Sequence, residues 1–405
     1  MRIVACVLTC LAGVGLFCGA DWLQFRGTDS NSVASSESLP TTWDPASGAH
    51  VAWKVELPGR GVSSPIVVKG KVIVTSVTGY LQDRLHVVCV DAASGTKSWE
   101  RQFWATGRTF CHPTSSVAAP TPASDGERIF AFYSSNDLVC LDLDGNLLWY
   151  RGLAHDYPAA GNDVGMASSA LVVGDTVVVQ VESQGDSFVA GLDTDTGDTR
   201  WKHPRERTAN WSSPAVMRGP TREEDAVLIQ SPSGLTSHRP RTGEQLWSYE
   251  ATCDNITSPV AVGDVVYVPL NRGSALTAVK KEGDSQSPEV LWTSNDLGPS
   301  RVCPLVQDGR VYVISGGVLA CGDAASGEVH WRERIDGSYW GTPLLAGGHI
   351  YAISEDGVAR VIEVGDKRAG EVSKIELGEP VLASPAAADG ALYIRGDKHL
   401  WKIAD

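Results

Sequence analysis

Seven side chains able to bind a ligand stand in the short segments between β-rich stretches of this sequence: Arg60, His112, Asn162, Trp211, Asn255, Arg301 and Trp340. Guanidinium and amide groups donate hydrogen bonds to acceptor oxygens, and indoles offer flat stacking faces. Such a mixture suits a small planar or anionic ligand, or an extended strand from a partner protein. A sugar stacked on Trp211 and Trp340 is a third possibility. The same side chains can also simply cap and fill the space around them. They form no catalytic set. Ser, His and Asp occur, but no G-x-S-x-G turn exposes a serine nucleophile. No C-x-x-C pair offers a zinc site. We therefore expect no catalytic residue and no metal ligand. The runs Asp142-Leu143-Asp144-Gly145-Asn146 and Asp193-Thr194-Asp195-Thr196-Gly197-Asp198 carry calcium-like acidic spacing without a terminal Glu, and read as turns. Asp186 and Arg205 read as a structural pair.

The elements that must position these residues come from a repeat. A Ser-Pro-like start, two short strands, a third ending near Asp, a Ser/Thr-Gly turn and a Trp recur along the chain. Starts fall at Ser64-Pro65, Ala119-Pro120 or Thr121-Pro122, Ser169-Ala170, Ser213-Pro214, Ser258-Pro259, Cys303-Pro304, Thr342-Pro343 and Ser384-Pro385. Ends fall at Trp99, Trp149, Trp201, Trp247, Trp292 and Trp331; the seventh unit has Ser373 near that place. A period of about 40–50 residues built from short strands implies a propeller. The expected fold is all-β: an eight-bladed β-propeller of four-stranded antiparallel blades, closed by pairing of the N- and C-terminal segments. Residues 50–57, with Trp53, supply the last strand of the eighth blade. Closure removes the sheet edges that would template aggregation.

Along an antiparallel blade, the connections between strands one and two and between strands three and four share one end of the ring. They are short and uniform, as turns under geometric demand are. The other end carries the variable loops, and all seven candidate residues belong to it. Function in such a ring is expected there, around the channel mouth. The repeated Trp residues read as packing between blades. Two residues before the Asp position stand Cys89, Cys140, Gly191, Ser237, Ala278 and Cys321, a column of small groups expected to face a neighbouring blade.

The net charge of −14 argues against nucleic acid or an anionic membrane surface as partner. Residues 1–20 read as a secretory signal peptide cut after Ala20, leaving 21–405 as the propeller, periplasmic or secreted, with no membrane span after cleavage. Export would permit disulfides, and the pairing of Cys111, Cys253 and Cys303 stays open.

The turns Asp91-Ala92-Ala93-Ser94-Gly95-Thr96-Lys97-Ser98-Trp99 and Asp193 to Trp201 resemble the tryptophan-docking motif of the pyrroloquinoline-quinone-like propeller family. The opening Asp21-Trp22-Leu23-Gln24-Phe25-Arg26-Gly27 is similar to secreted bacterial members. The resemblance covers about residues 21–405. It implies either a quinone- and calcium-dependent dehydrogenase or a partner-binding propeller like the outer-membrane assembly lipoprotein. The chain lacks the adjacent Cys-Cys pair of many dehydrogenases, their long insertions and a C-x-x-C-H haem site. It also lacks a good lipobox. We therefore expect a non-catalytic binding or scaffold module that captures an envelope protein, with no cofactor. A quinone-dependent oxidoreductase and a carbohydrate-binding propeller are the alternatives.

Overall fold

β-Branched residues alternate along segments such as Lys71–Thr78 and Val265–Leu270, and Gly-bearing turns separate them, so the chain pleats into short antiparallel ladders. The structure is a computed structural model that describes residues 21–34, 38–161, 164–271, 274–281, 283 and 285–405. The expected leader over residues 1–20 and the candidate Asn162 lie outside the described residues. The described strands form eight sheets arranged as the blades of a ring. Blade 1 shows the pattern: Ile66–Val68 innermost, then Lys71–Thr78, Arg84–Asp91 and the outer Lys97–Trp104. In this blade the inner strand is fully buried, whereas the outer strand is half in solvent. No described helix is long and apolar enough to cross a membrane.

The expected closure is present. Val51–Glu56 pairs antiparallel with His399–Ile403 and completes blade 8 from the other end of the chain. Blade 7 departs from the expected four strands. Val33–Ala34 adds a fifth, parallel to its inner strand at Leu344–Ala346.

Between the third and fourth strands the register shifts beside the Trp, for example at Cys89/Val90, Ser237/His238 and Cys321/Gly322. Such a bulge re-aims the side chain that follows it. The indole then reaches the next blade: Trp99 Nε1 donates to Leu143 O, Trp149 to Thr194 O and Trp292 to Ala324 O, each at 3.0 Å. The small-residue column sits opposite these rings. Cys89, Cys140, Gly191, Ser237, Ala278 and Cys321 pair in register with Trp99, Trp149, Trp201, Trp247, Trp292 and Trp331. A Cβ at Gly191 would lie 2.3 Å from the Trp201 ring. The blade's own indole, rather than a neighbouring blade alone, therefore demands small groups there. All six described cysteines are free thiols.

Candidate functional site at the channel mouth

Two residues before each inner strand stands the residue that opens the repeat phrase, and these eight residues form a closed circle. The backbone N–H of each donates to the side chain of the next: Ser64 to Thr121, Thr121 to Ser169, Ser169 to Ser213, and Ser213 to Ser258. The circle continues from Ser258 to Cys303 Sγ at 3.3 Å, Cys303 to Thr342, Thr342 to Ser384, and Ser384 back to Ser64. The second phrase thus starts at Thr121-Pro122, not at Ala119. Seven hydroxyls and one thiol make a girdle inside the channel. Each buried N–H gains a partner, which an unpaired amide would lack at a cost of about 1–3 kcal/mol.

Above the girdle a cavity of about 550 Å³ opens among the variable loops. His112, Trp211, Arg301 and Trp340 line it together, as the sequence expects. The Arg301 guanidinium stacks 4.5 Å from the Trp340 ring centre, and Trp340 Nε1 donates to Glu355. Trp211 Nε1 donates to Gly165 O, which fixes one wall. His112 Nδ1 lies 2.8 Å from the Thr114 hydroxyl and faces the Thr114 backbone N–H, which holds the ring at the mouth.

Two other candidates brace loops and are not part of the described lining. Arg60 donates to Pro113 O at 2.6 Å while its backbone pairs with Val77. Asn255 donates to Ala209 O and accepts the Trp211 N–H, and its neighbour Ile256 faces the cavity. Asp186 and Arg205 do not pair. Asp186 meets Arg207, and Arg205 meets the buried Glu182. The acidic runs at Asp142 and Asp193 close turns by accepting backbone N–H groups.

Sequence reasoning treated the girdle as scaffold and did not see the floor. Residues 21–32 cross the far end of the channel. Trp22 pairs with Val67, Leu23 O accepts Ser124 N–H, Gln24 accepts Val172 N–H, and Ser32 O accepts Leu345 N–H. Phe25 closes the cavity from below. Contacts that span blades 1, 2, 3 and 7 leave no local signature in sequence. Nor did the reading find the rim. Tyr80, Leu81, Trp104 and Phe110 are all more than half exposed on the loop side of blades 1 and 2. Their segments are tied together by Ala105 N–H to Asp83 O and by Gln82 to Cys111 and Val117.

The described lining contains no Asp or Glu. Among the described residues no group of three His, Cys, Asp or Glu could hold a metal. Calcium takes 6–8 oxygen ligands, carboxylates prominent among them. The residues present therefore do not fit a calcium-bound quinone.

A family profile described as outer membrane protein assembly factor BamB matches residues 27–186, 159–294 and 284–373. Comparison with curated proteins finds no match. Among solved structures, BamB from Moraxella catarrhalis is 18% identical, with TM-score 0.62, covering 88% of this chain and 97% of that one. A europium-containing methanol dehydrogenase is 14% identical, with TM-score 0.71, covering 94% and 90%. The quinohemoprotein alcohol dehydrogenase from Comamonas testosteroni is 12% identical, with TM-score 0.70, covering 94% and 80%. At these identities the likeness is one of fold.

Proposed function

The chain belongs to the PQQ-like repeat propeller family described as outer membrane protein assembly factor BamB, and on that premise we propose that it is a non-catalytic binding module of the cell envelope whose loop face captures a protein partner. The observation that carries this reading is the rim. Tyr80 is fully exposed, and Leu81, Trp104 and Phe110 are more than half exposed, within segments bonded to one another. Contiguous exposed apolar groups of this size mark interaction sites in soluble proteins. Arg84 stacks on Trp104 and Arg108 on Phe110, giving the aromatic and arginine composition of interface hot spots. Arg301 and Trp340 add a second aromatic–cation pair at the mouth.

A quinone-dependent dehydrogenase shares this ring, as the structural neighbours do. The described wall lacks the carboxylates that its calcium would need. The test is photo-crosslinking in cells from position 104, with position 94 on the opposite, turn-bearing end as control. A discrete protein adduct at 104, absent at 94 and lost on Tyr80→Ser, is the expected result. No adduct at 104, or equal adducts at both ends, would overturn the reading.

A further inference from the structure

Seven blades place a hydroxyl in the girdle; the sixth places Cys303. The scaffold does not require sulfur there, because its one task is to accept the N–H of the previous blade. Cys303 is free, lines the cavity and receives the Ser258 N–H. The other girdle side chains each accept one N–H, and among the described residues none donates its own O–H elsewhere. The cavity therefore presents a ring of donors with no carboxylate in its described wall.

Beneath this ring lies Arg26, 1% exposed. Both its terminal nitrogens donate to one acceptor, Pro259 O, and its Nε has no partner. The equally buried Arg395 differs: it donates to Ser63 O, Ser63 Oγ, Thr75 O and Ser76 Oγ. Arg26 thus carries a buried charge answered by one carbonyl and by the Phe25 ring, 5.3 Å away, and by no carboxylate among its described partners. Arg26 is bonded to Pro259, whose chain neighbour Ser258 donates its N–H to Cys303 Sγ, so the cation lies next to the sixth position of the girdle. A buried cation without compensation is destabilising, and an anion beside it, whether thiolate or ligand, removes the penalty. Above, Arg301 stands two residues from the thiol on the same wall.

We propose that the girdle is a covalent anion site, in which Cys303 forms a mixed disulfide with a small anionic disulfide admitted through the mouth. The Cys303 thiolate attacks one sulfur of the ligand's S–S bond. A new Sγ–S bond forms, the old one breaks, and the other half leaves as a thiolate. The thiol proton goes to solvent. Cys303 is oxidised and the departing half is reduced, so the ligand itself is the oxidant. Arg26 and Arg301 bring the anion in, and the hydroxyls hold its oxygens.

No other described cysteine belongs to the described lining of the cavity. Burial pushes Cys89 up to about 11 and Cys140 and Cys253 up to about 12, which leaves them protonated and inert. Cys111, half-buried at the rim, is also pushed up by burial.

The experiment treats the folded full chain with an anionic disulfide, 5,5′-dithiobis(2-nitrobenzoate), and with a cationic one, cystamine, and locates adducts by peptide mass. The expected adduct is on Cys303. It forms about tenfold faster with the anion, a ratio typical of a charged cleft that focuses substrate. Cys303→Ser abolishes it with an unchanged melting temperature, because it restores the group that seven blades already carry. Cys111→Ser leaves it unchanged. Arg26→Met lowers the anion preference if it folds. Arg301→Gln, at an exposed position, lowers it whether or not the Arg26 variant folds. Cys303 unmodified until the protein is unfolded would overturn the proposal. So would equal rates for the two disulfides, or a preference untouched by Arg301→Gln.

Discussion

At Gly145 a turn and an indole make separate demands on one residue. Its φ is +83°, and a Cβ there would lie 2.7 Å from the Trp99 ring. Gly70 shares the conformation, at φ +74°, but a Cβ would meet nothing within 4 Å. Gly70→Ala should therefore cost only the left-handed backbone term, about 1–2 kcal/mol. Gly145→Ala should cost that plus overpacking, about 2–5 kcal/mol in all. Urea unfolding of the two variants measures the difference, and equal losses would deny the docked ring any energetic role. His238 offers a second residue-scale test. It is buried, its Nδ1–H donates to Gly243 O, and its Nε2 accepts the Thr236 hydroxyl. Burial lowers its pKa from 6.5 to about 4. The unfolded chain therefore binds this proton first as pH falls. The contribution is fully present above about pH 6.5 and is lost progressively down to about pH 4, some 3 kcal/mol in all. Unfolding free energies of wild type and His238→Gln between those values should converge as pH falls, and parallel curves would exclude the histidine. The Trp and turn residues were legible in the sequence because they recur from blade to blade, the Trp in seven of the eight. The Cys303 anomaly was visible as well, but its meaning depends on Arg26, which the chain supplies 277 positions earlier.

Among elements, the N-terminal segment does what no repeat unit could. Blade 7 has Ser373 where other blades have Trp, and its Tyr351 occupies the strand-two place held by Tyr312 in blade 6. Tyr312 packs against Trp331, whereas Tyr351 donates its hydroxyl to Leu39 O and Ser373 donates to Thr41 O. Trp43 lies buried in the same cluster. The linker thus covers the place of the missing indole before entering blade 8 as Val51–Glu56. Sequence reading detected the gap and the closing strand, since both are departures or completions of a period. It could not detect the substitute, because nothing local in residues 38–43 marks them for blade 7. Trp43→Ala should consequently destabilise about as much as Trp149→Ala, since both rings are buried, roughly 3–5 kcal/mol, the usual cost of emptying a buried Trp site. Chemical denaturation of both variants checks this. A loss under about 1 kcal/mol at Trp43, the range of ordinary surface changes, would reduce the linker to a cover.

The whole molecule is held as a ring at two radii. At the inner radius the girdle links every blade to the next through one N–H, ending where it began at Ser64. At the outer radius each docked indole crosses to the following blade, and Trp53 crosses from blade 8 to Ala92 O of blade 1. A linear array of repeats unfolds from its ends, because terminal units have one neighbour. A closed ring has no such ends, so loss of one blade exposes two faces at once and unfolding should be a single transition. Among the described residues the seam where the two ends of the chain meet within one blade is the ladder between Val51–Glu56 and His399–Ile403. Lys54 pairs with Trp401 and Val55 with Leu400. In an antiparallel ladder alternate residues carry the cross-strand bonds, so proline at both positions must remove at least one. The double variant Lys54→Pro, Val55→Pro should open the seam and give the ring two ends. Circular dichroism and Trp fluorescence should then report non-coincident urea transitions with a smaller denaturant slope, where the wild type gives one shared midpoint. Coincident transitions in the variant would mean that the girdle alone keeps the ring cooperative, and the seam would rank as a local feature of blade 8.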